Sequence, residues 1–393
     1  MPASRPHTLT LPDDHLGLYI HVPFCVRKCA YCDFPSQPRC ADPDLPDRYL
    51  DALEVEIARR RAEVARPAHS IYIGGGTPTV LSGVQLRRLW AAVDTLPRRP
   101  DAEVSIEVNP GTLSVEVLDT LAVLPLTRVS VGAQSLQPAE LAALGRIHTP
   151  EEVADAAAAV HALGVQLNID LMYGLPGQTA ASWDATLRGA LALEPAHLSH
   201  YALIVEDGTP LAAGVLAGDV ALPDEEEEIA MEAATAARLA AAGYTEYEVS
   251  NAARPGAHCR QNLGYWLGRD YLGFGPSAVS AVGALRWRNT PDAAVYTARA
   301  AQGQPVVCYS ERLRAGECLL ERVMLGLRLH GGFALDAAER ACGCRLAAVA
   351  GTALDALLAE GWLEEDGTTL RLSPAGFPLA NMVVARLMAD TSA

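Results

Sequence analysis

The chain has 393 residues, half of them apolar and a fifth charged, the balance of a globular protein that can bury a sizeable core. Its formal net charge of −16 disfavours a protein whose main task is gripping a phosphate backbone, so no nucleic-acid partner is expected. No segment approaches the roughly 18 apolar residues of a membrane span and no apolar signal stretch is visible, so a cytoplasmic protein with reduced cysteines is expected, its membrane association at most peripheral.

In chain order, residues 1–17 form an amino-terminal segment. Residues 18–206 alternate β-branched runs (18–24, 70–76, 103–110, 128–134, 165–176, 197–206) with helical stretches near 46–66, 81–96, 114–123, 150–163 and 180–193. Thr149-Pro150-Glu151-Glu152 carries an N-cap, a proline at the first helical position and a capping-box glutamate, and Gly164 stands where that helix would end. Six strands each followed by a helix predict a parallel α/β sheet, a partial (β/α)6 barrel with its chemistry at the carboxyl ends of the strands. Residues 207–305 read as an extension covering the ligand. In it Pro223-Asp224 and four glutamates open an Ala-rich helix, and 271–283 is a Gly-rich loop or tight strand. Residues 306–393 read as helix, helix and a hairpin at Asp366-Gly367, a small winged-helix-like domain without a basic recognition face. Arg59, Arg60 and Arg61 read as a solvated helix face.

Three of the nine cysteines, Cys25, Cys29 and Cys32, fall in a C-x3-C-x2-C run just after the first strand. Soft thiolates select zinc or an iron–sulfur cluster. Structural zinc wants four ligands, usually as two paired knuckles, and no second pair follows. Three ligands on a four-iron cube would leave one iron open; a partly filled zinc site is the alternative. Gly74-Gly75-Gly76-Thr77-Pro78 ends the second strand, letting backbone approach a ligand and offering N–H groups to an anion. Glu107, Gln134 and Asp170 end the third, fourth and fifth strands, and Arg146 follows the fourth. Each alone could be a structural polar residue. Cys308, Cys318, Cys342 and Cys344 read as small buried side chains.

The run YIHVPFC…CAYCDF resembles the radical S-adenosylmethionine (SAM) superfamily, in the branch that holds oxygen-independent coproporphyrinogen III oxidase and the haem chaperone HemW. The resemblance covers roughly residues 17–290, and the tail more loosely. It implies a [4Fe–4S] cluster on Cys25, Cys29 and Cys32, with SAM contacts from Tyr19, Tyr31, Gly75, Gly76, Thr77 and Glu107. Gln134, Arg146 and Asp170 match positions that hold a second SAM in the oxidase, so one or two SAM molecules are expected. It also implies a low-potential electron donor if SAM is cleaved, and allows a homodimer.

Within the branch, Asp33-Phe34 lacks the further cysteine of the oxidase, and only 18 residues precede Tyr19. Both features resemble HemW, which implies haem as cargo and acceptor haemoproteins as partners. Against this, the haem-binding motif His-Asn-x-x-Tyr-Trp here reads Gln261-Asn262-Leu263-Gly264-Tyr265-Trp266, and glutamine is a poor haem ligand beside imidazole or thiolate. Gly275-Pro276-Ser277-Ala278-Val279 likewise lacks a histidine often found there. His258 and Cys259 lie close enough in sequence to substitute. A haem carrier is therefore the favoured reading. A radical methyltransferase, the oxidase itself and a structural metal protein are the alternatives.

Overall fold

The computed structural model describes residues 8–389; residues 1–7 of the expected amino-terminal segment lie outside it. Six strands, Leu16–Val22, Ala68–Gly75, Arg98–Val108, Arg128–Gln134, Gln166–Tyr173 and His197–Ala202, pair in parallel in that order, as the alternating pattern predicts. Helices Leu45–Arg60, Gly83–Val93, Val115–Leu121, Pro150–Ala162 and Ala180–Ala192 provide the crossovers. A short helix not anticipated from sequence, Pro138–Ala143, precedes the fourth of these. The Thr149 hydroxyl and Glu152 carboxylate form the expected capping box, and Gly164 follows the helix at φ +71°.

The two faces of each strand differ in chemistry. Alternate residues packed under the helices are apolar: Leu18, Ile20, Ile71, Ile73, Val104, Ile106, Val129, Val131, Leu167 and Ile169 are all buried in the main core. The residues between them (Tyr72, Ser105, Glu107, Ser130, Asn168, Asp170, Ser199, Tyr201) have polar side chains and face the barrel interior. Parallel strands covered on both faces normally read as continuous apolar runs. Here the interior is built for ligands and hydrogen bonds.

The sheet extends further than six strands. Asp270–Phe274 pairs in parallel with Leu16–Val22, and Val279–Val282, Leu285–Asn289 and Val307–Arg312 continue antiparallel to an outer edge. The Gly-rich stretch is thus a pair of tight strands. This extension removes Arg60 from solvent, contrary to the solvated face expected. Its guanidinium meets Glu56 at 2.6 Å and Gly273 O at 2.7 Å, and lies over the rings of Phe274 and Trp287. Cys308, expected to be buried, is exposed on the edge strand.

The amino end of the barrel is closed by the segment leading into helix Arg260–Trp266. Glu103 accepts hydrogen bonds from the backbone N–H groups of Arg260 and Gln261, at 3.1 and 3.2 Å, and pairs with buried Arg128 at 3.6 Å. Arg128 also donates to Ala257 O at 2.8 Å. The carboxylate therefore caps a helix N-terminus and neutralises a buried cation together. A separate carboxyl-terminal core, including Leu319, Val323, Leu357, Leu370 and Val383, joins helices to a small antiparallel sheet of Phe333–Ala334, Thr369–Leu372 and Leu363–Asp366. The final helix, Ala380–Ala389, was not foreseen. Among the described residues no helix is long and apolar enough to cross a membrane.

Replacing Arg128 by Met leaves Glu103 buried without its cation, so urea unfolding should show a loss of about 3–5 kcal/mol. Unchanged stability would mean that the helix N-terminus alone suffices for Glu103.

Candidate cluster and cofactor site

The cysteine loop is fixed at its neck and at its middle. Phe24–Cys25 pairs in parallel with Gln37–Pro38, closing the loop where it leaves the first strand. Within it, Ala30 N donates to Leu144 O at 3.0 Å, and Leu211 N donates to Ala30 O at 2.9 Å. The Tyr31 side chain packs against Leu144, Met172 and Leu175. These contacts turn Cys25, Cys29 and Cys32 towards one cavity of about 340 Å3 over the carboxyl ends of the strands.

That cavity gathers almost every residue singled out from the sequence. The three cysteines, Tyr31, Gly75, Gly76, Thr77, Glu107, Gln134, Arg146 and Asp170 all line it. Tyr19 stands just behind, its hydroxyl 3.0 Å from His21 Nδ1 and its ring stacked on Tyr72. Tyr72, Ser130, Asn109, Met172 and Tyr201 line the cavity too and were missed. The signal for Tyr72, Ser130 and Met172 was the period-two alternation, since they share a strand face with Gly74, Gln134 and Asp170; the strand of Tyr201 carried no such mark.

The N–H groups of the glycine turn are already taken, against the anion contact that three glycines allow and in keeping with the amino-group contact that the resemblance implies. Gly76 N donates to Val22 O at 2.8 Å, Thr77 N to Phe24 O at 2.7 Å, and Gly75 N to Glu107 Oε2 at 3.0 Å. No N–H of these three residues is left for an anion. The turn offers a ligand carbonyl oxygens, which suit a cation such as an ammonium group. Glycine is required at position 76, because a Cβ there would come within 2.4 Å of Phe24 O.

Electrostatics divide the cavity. Glu107 accepts from the Tyr72 hydroxyl at 2.9 Å, yet burial and then the neighbouring Asp170 push its carboxyl up to about 7. Burial likewise raises Asp170, opposed by hydrogen bonds from Ser130 at 2.7 Å and Asn168 at 2.8 Å. Opposite them, Arg146 donates to Cys29 Sγ at 3.6 Å and to Gly132 O. Gln134 sits nearby with φ +67°, a conformation costly for a side-chain-bearing residue and concentrated at functional sites. An anionic pocket thus lies beside a cation that faces the thiols.

Among the described residues no three His, Cys, Asp or Glu side chains converge closely enough to hold a single metal ion. The fit is instead to a larger thiophilic group. Three soft donors on one pinned loop share a cavity mouth, with Thr77 Oγ1 3.9 Å from Cys25 Sγ and the Arg146 guanidinium beside Cys29 to offset thiolate charge.

At the motif, Gln261 and the substitute candidate Cys259 are engaged elsewhere. Gln261 is buried, accepting from Ser70 at 2.7 Å and donating to the Tyr265 hydroxyl at 2.8 Å. Cys259 is buried with its thiol 3.4 Å from Glu103 Oε1, and burial raises that thiol well above its ordinary value. His258 stands edge-on to Tyr247 at 4.9 Å. Glu103 draws this segment into the barrel base, so neither Gln261 nor Cys259 presents a free ligand atom.

Comparison with known proteins agrees with this geometry. The radical SAM superfamily model matches residues 19–189, and that of the HemN C-terminal domain matches residues 315–379. The heme chaperone HemW of Mycobacterium tuberculosis is 39% identical over 391 residues, covering 98% of each chain. HemW of Escherichia coli is 40% identical over 274 residues, 68% of this chain and 70% of that one. Among solved structures, the radical SAM enzyme coproporphyrinogen III oxidase (HemN) from Escherichia coli superposes with a TM-score of 0.83 at 26% identity, covering 96% of this chain and 91% of the other.

A carboxyl whose folded pKa lies above its unfolded value stabilises the fold at low pH and loses that contribution as pH rises through the folded value. With Glu107 held at about 7 against an ordinary 4.5, the ligand-free protein should be less stable at pH 8 than at pH 5. The contribution of this group is about 3 kcal/mol. Urea unfolding of Glu107→Gln across that range should show a flatter pH dependence; an unaltered slope would place the titration elsewhere.

Proposed function

The chain belongs to the HemW family of radical SAM proteins, and on that premise we propose that it is a haem chaperone, binding haem and passing it to acceptor haemoproteins. The observation that carries the reading is the likeness to HemW proteins along nearly the whole chain, carboxyl-terminal domain included. Phe34 supports it: this exposed side chain at the cavity mouth stands where the resemblance gives the oxidase a further cysteine.

The family's cofactors are a [4Fe–4S] cluster and SAM. Cys25, Cys29 and Cys32 are the residues that would hold the cluster, and together with SAM it supplies one-electron chemistry at the sulfonium. The chain's own residues bind and orient. Carbonyl oxygens of the Gly75–Gly76 turn receive the ammonium end of SAM, and Glu107, kept in place by Tyr72 and the Gly75 N–H, receives a ribose hydroxyl or the amine. Asp170 and Gln134 bound the far side, and Arg146 steadies the thiolate of Cys29. A cavity of about 340 Å3 lies near the lower limit for a small-molecule site, which favours one SAM molecule over two. A low-potential donor would be needed if SAM is cleaved, and a homodimer is compatible with the reading.

Anaerobic reconstitution followed by reduction with dithionite should give a four-iron cluster whose electron paramagnetic resonance signal changes on adding SAM, and Cys29→Ala should lose it. Gly76→Ala, which displaces Phe24–Cys25, should take up less iron and sulfide per chain. Ferric haem added to the reconstituted protein should then saturate at about one equivalent by absorbance. Absence of specific binding would overturn the carrier reading and direct attention to radical methyl transfer.

A further inference from the structure

A second cavity lies far along the sheet from the cysteine loop, between the extension and the carboxyl-terminal helix Ala315–Gly326, with a volume of about 550 Å3. Its lining combines a planar apolar surface, basic groups and donors suited to iron. Tyr271, Val279 and Ala281 supply the apolar surface, Arg286 and Arg288 supply charge, and Tyr309 and Met324 carry a phenol and a thioether. Haem iron is held in other proteins by tyrosine and by methionine as well as by histidine and cysteine.

We propose that this cleft is the seat of the haem cargo, with Tyr309 the axial ligand and Arg288 the partner of a propionate; this rests on the carrier reading above. Tyr309 and Arg288 stand directly opposite each other across the antiparallel pair of Leu285–Asn289 and Val307–Arg312, on the face lining the cleft. Both are exposed, and Arg288 has no carboxylate partner among the described residues, so its guanidinium is available to an anion. Arg286, by contrast, is held by Glu321 and braces the wall. The Tyr271 ring is fixed edge-on against Tyr265 at 4.8 Å, whereas the exposed Tyr309 phenol is hydrogen-bonded to Glu311, a contact that iron must displace. On binding ferric iron the phenol of Tyr309 gives up its proton to the buffer.

The larger cavity on the opposite face of the extension, about 690 Å3, is a poorer fit. It is lined by Trp287, Leu285 and Val307, but by no His, Cys, Met or Tyr side chain able to meet iron. The family motif position is also unsuited, because the Gln261 amide points into the barrel base towards Ser70. The cleft differs from both in presenting a ligand atom and an unpaired cation on the same wall. Because Tyr265 lines it too, the motif reaches the cleft through that one residue although Gln261 does not.

The test is titration of the full chain with ferric haem, followed by absorbance, for the wild type and for Tyr309→Phe, Arg288→Glu, Tyr271→Phe and Met324→Leu. Circular dichroism and cluster content check that each variant folds. Tyr309→Phe should alter the visible spectrum, and Arg288→Glu should weaken binding by about tenfold, as expected for loss of a charge-assisted contact. A wild type that binds haem with all four variants unchanged would overturn the cleft and leave the carrier reading standing. A wild type that binds no haem would overturn both. A spectral change in Tyr271→Phe or Met324→Leu but not in Tyr309→Phe would keep the cleft and overturn Tyr309 as the ligand.

Discussion

At the base of the barrel, the carboxylate of Glu103 receives two backbone N–H groups of a helix, the thiol of Cys259 and the charge of Arg128. An isolated ionised carboxylate could not be buried there, since desolvation would neutralise it or expel it. With these partners it ties residues 257–261 across the opening. The helix that follows leads directly to Asp270–Phe274, the strand that lengthens the sheet beyond the six barrel strands. One satisfied buried charge thus ties the closed base to the segment that leads into the extension.

Above that base the same rule is relaxed by degrees. Asn168 connects Ser130, Asp170 and Ser199, and His197 bridges Asn168 and Tyr247 at 2.7 and 2.8 Å. These interior groups hydrogen-bond one another, so the lower barrel is a connected polar core. Towards the strand ends the partners run out. Glu107 and Asp170 keep fewer hydrogen bonds than their burial demands, which is why their carboxyls titrate high. A cationic ligand would relieve both, and the cavity is open on the side where the thiols stand.

Much of this was legible in the sequence, for identifiable reasons. The cysteine spacing is local, so the chain itself displays it. Glu107, Gln134 and Asp170 stood out because successive strands of a parallel sheet bring their carboxyl ends to one place. What sequence could not supply were pairings between distant segments. Whether the N–H groups of Gly75 and Gly76 face a ligand depends on Glu107 and Val22, and the fates of Gln261 and Cys259 depend on Ser70 and Glu103. Arg60 looked solvated for the same reason: the strands that cover it come more than 200 residues later. The alternation that exposes Tyr72 and Ser130 was present in the sequence, but apolar content alone obscured it.

The neck of the cysteine loop bears on assembly of the metal site as well as on its geometry. Pairing Phe24–Cys25 with Gln37–Pro38 closes the loop through backbone hydrogen bonds that do not involve the three thiols. The entropy of bringing the chain ends together is then borne by the fold, and the free energy of ligation need not cover it. The mouth of the metal site is thus held by the same backbone pairing that shapes the fold, and not by ligation alone.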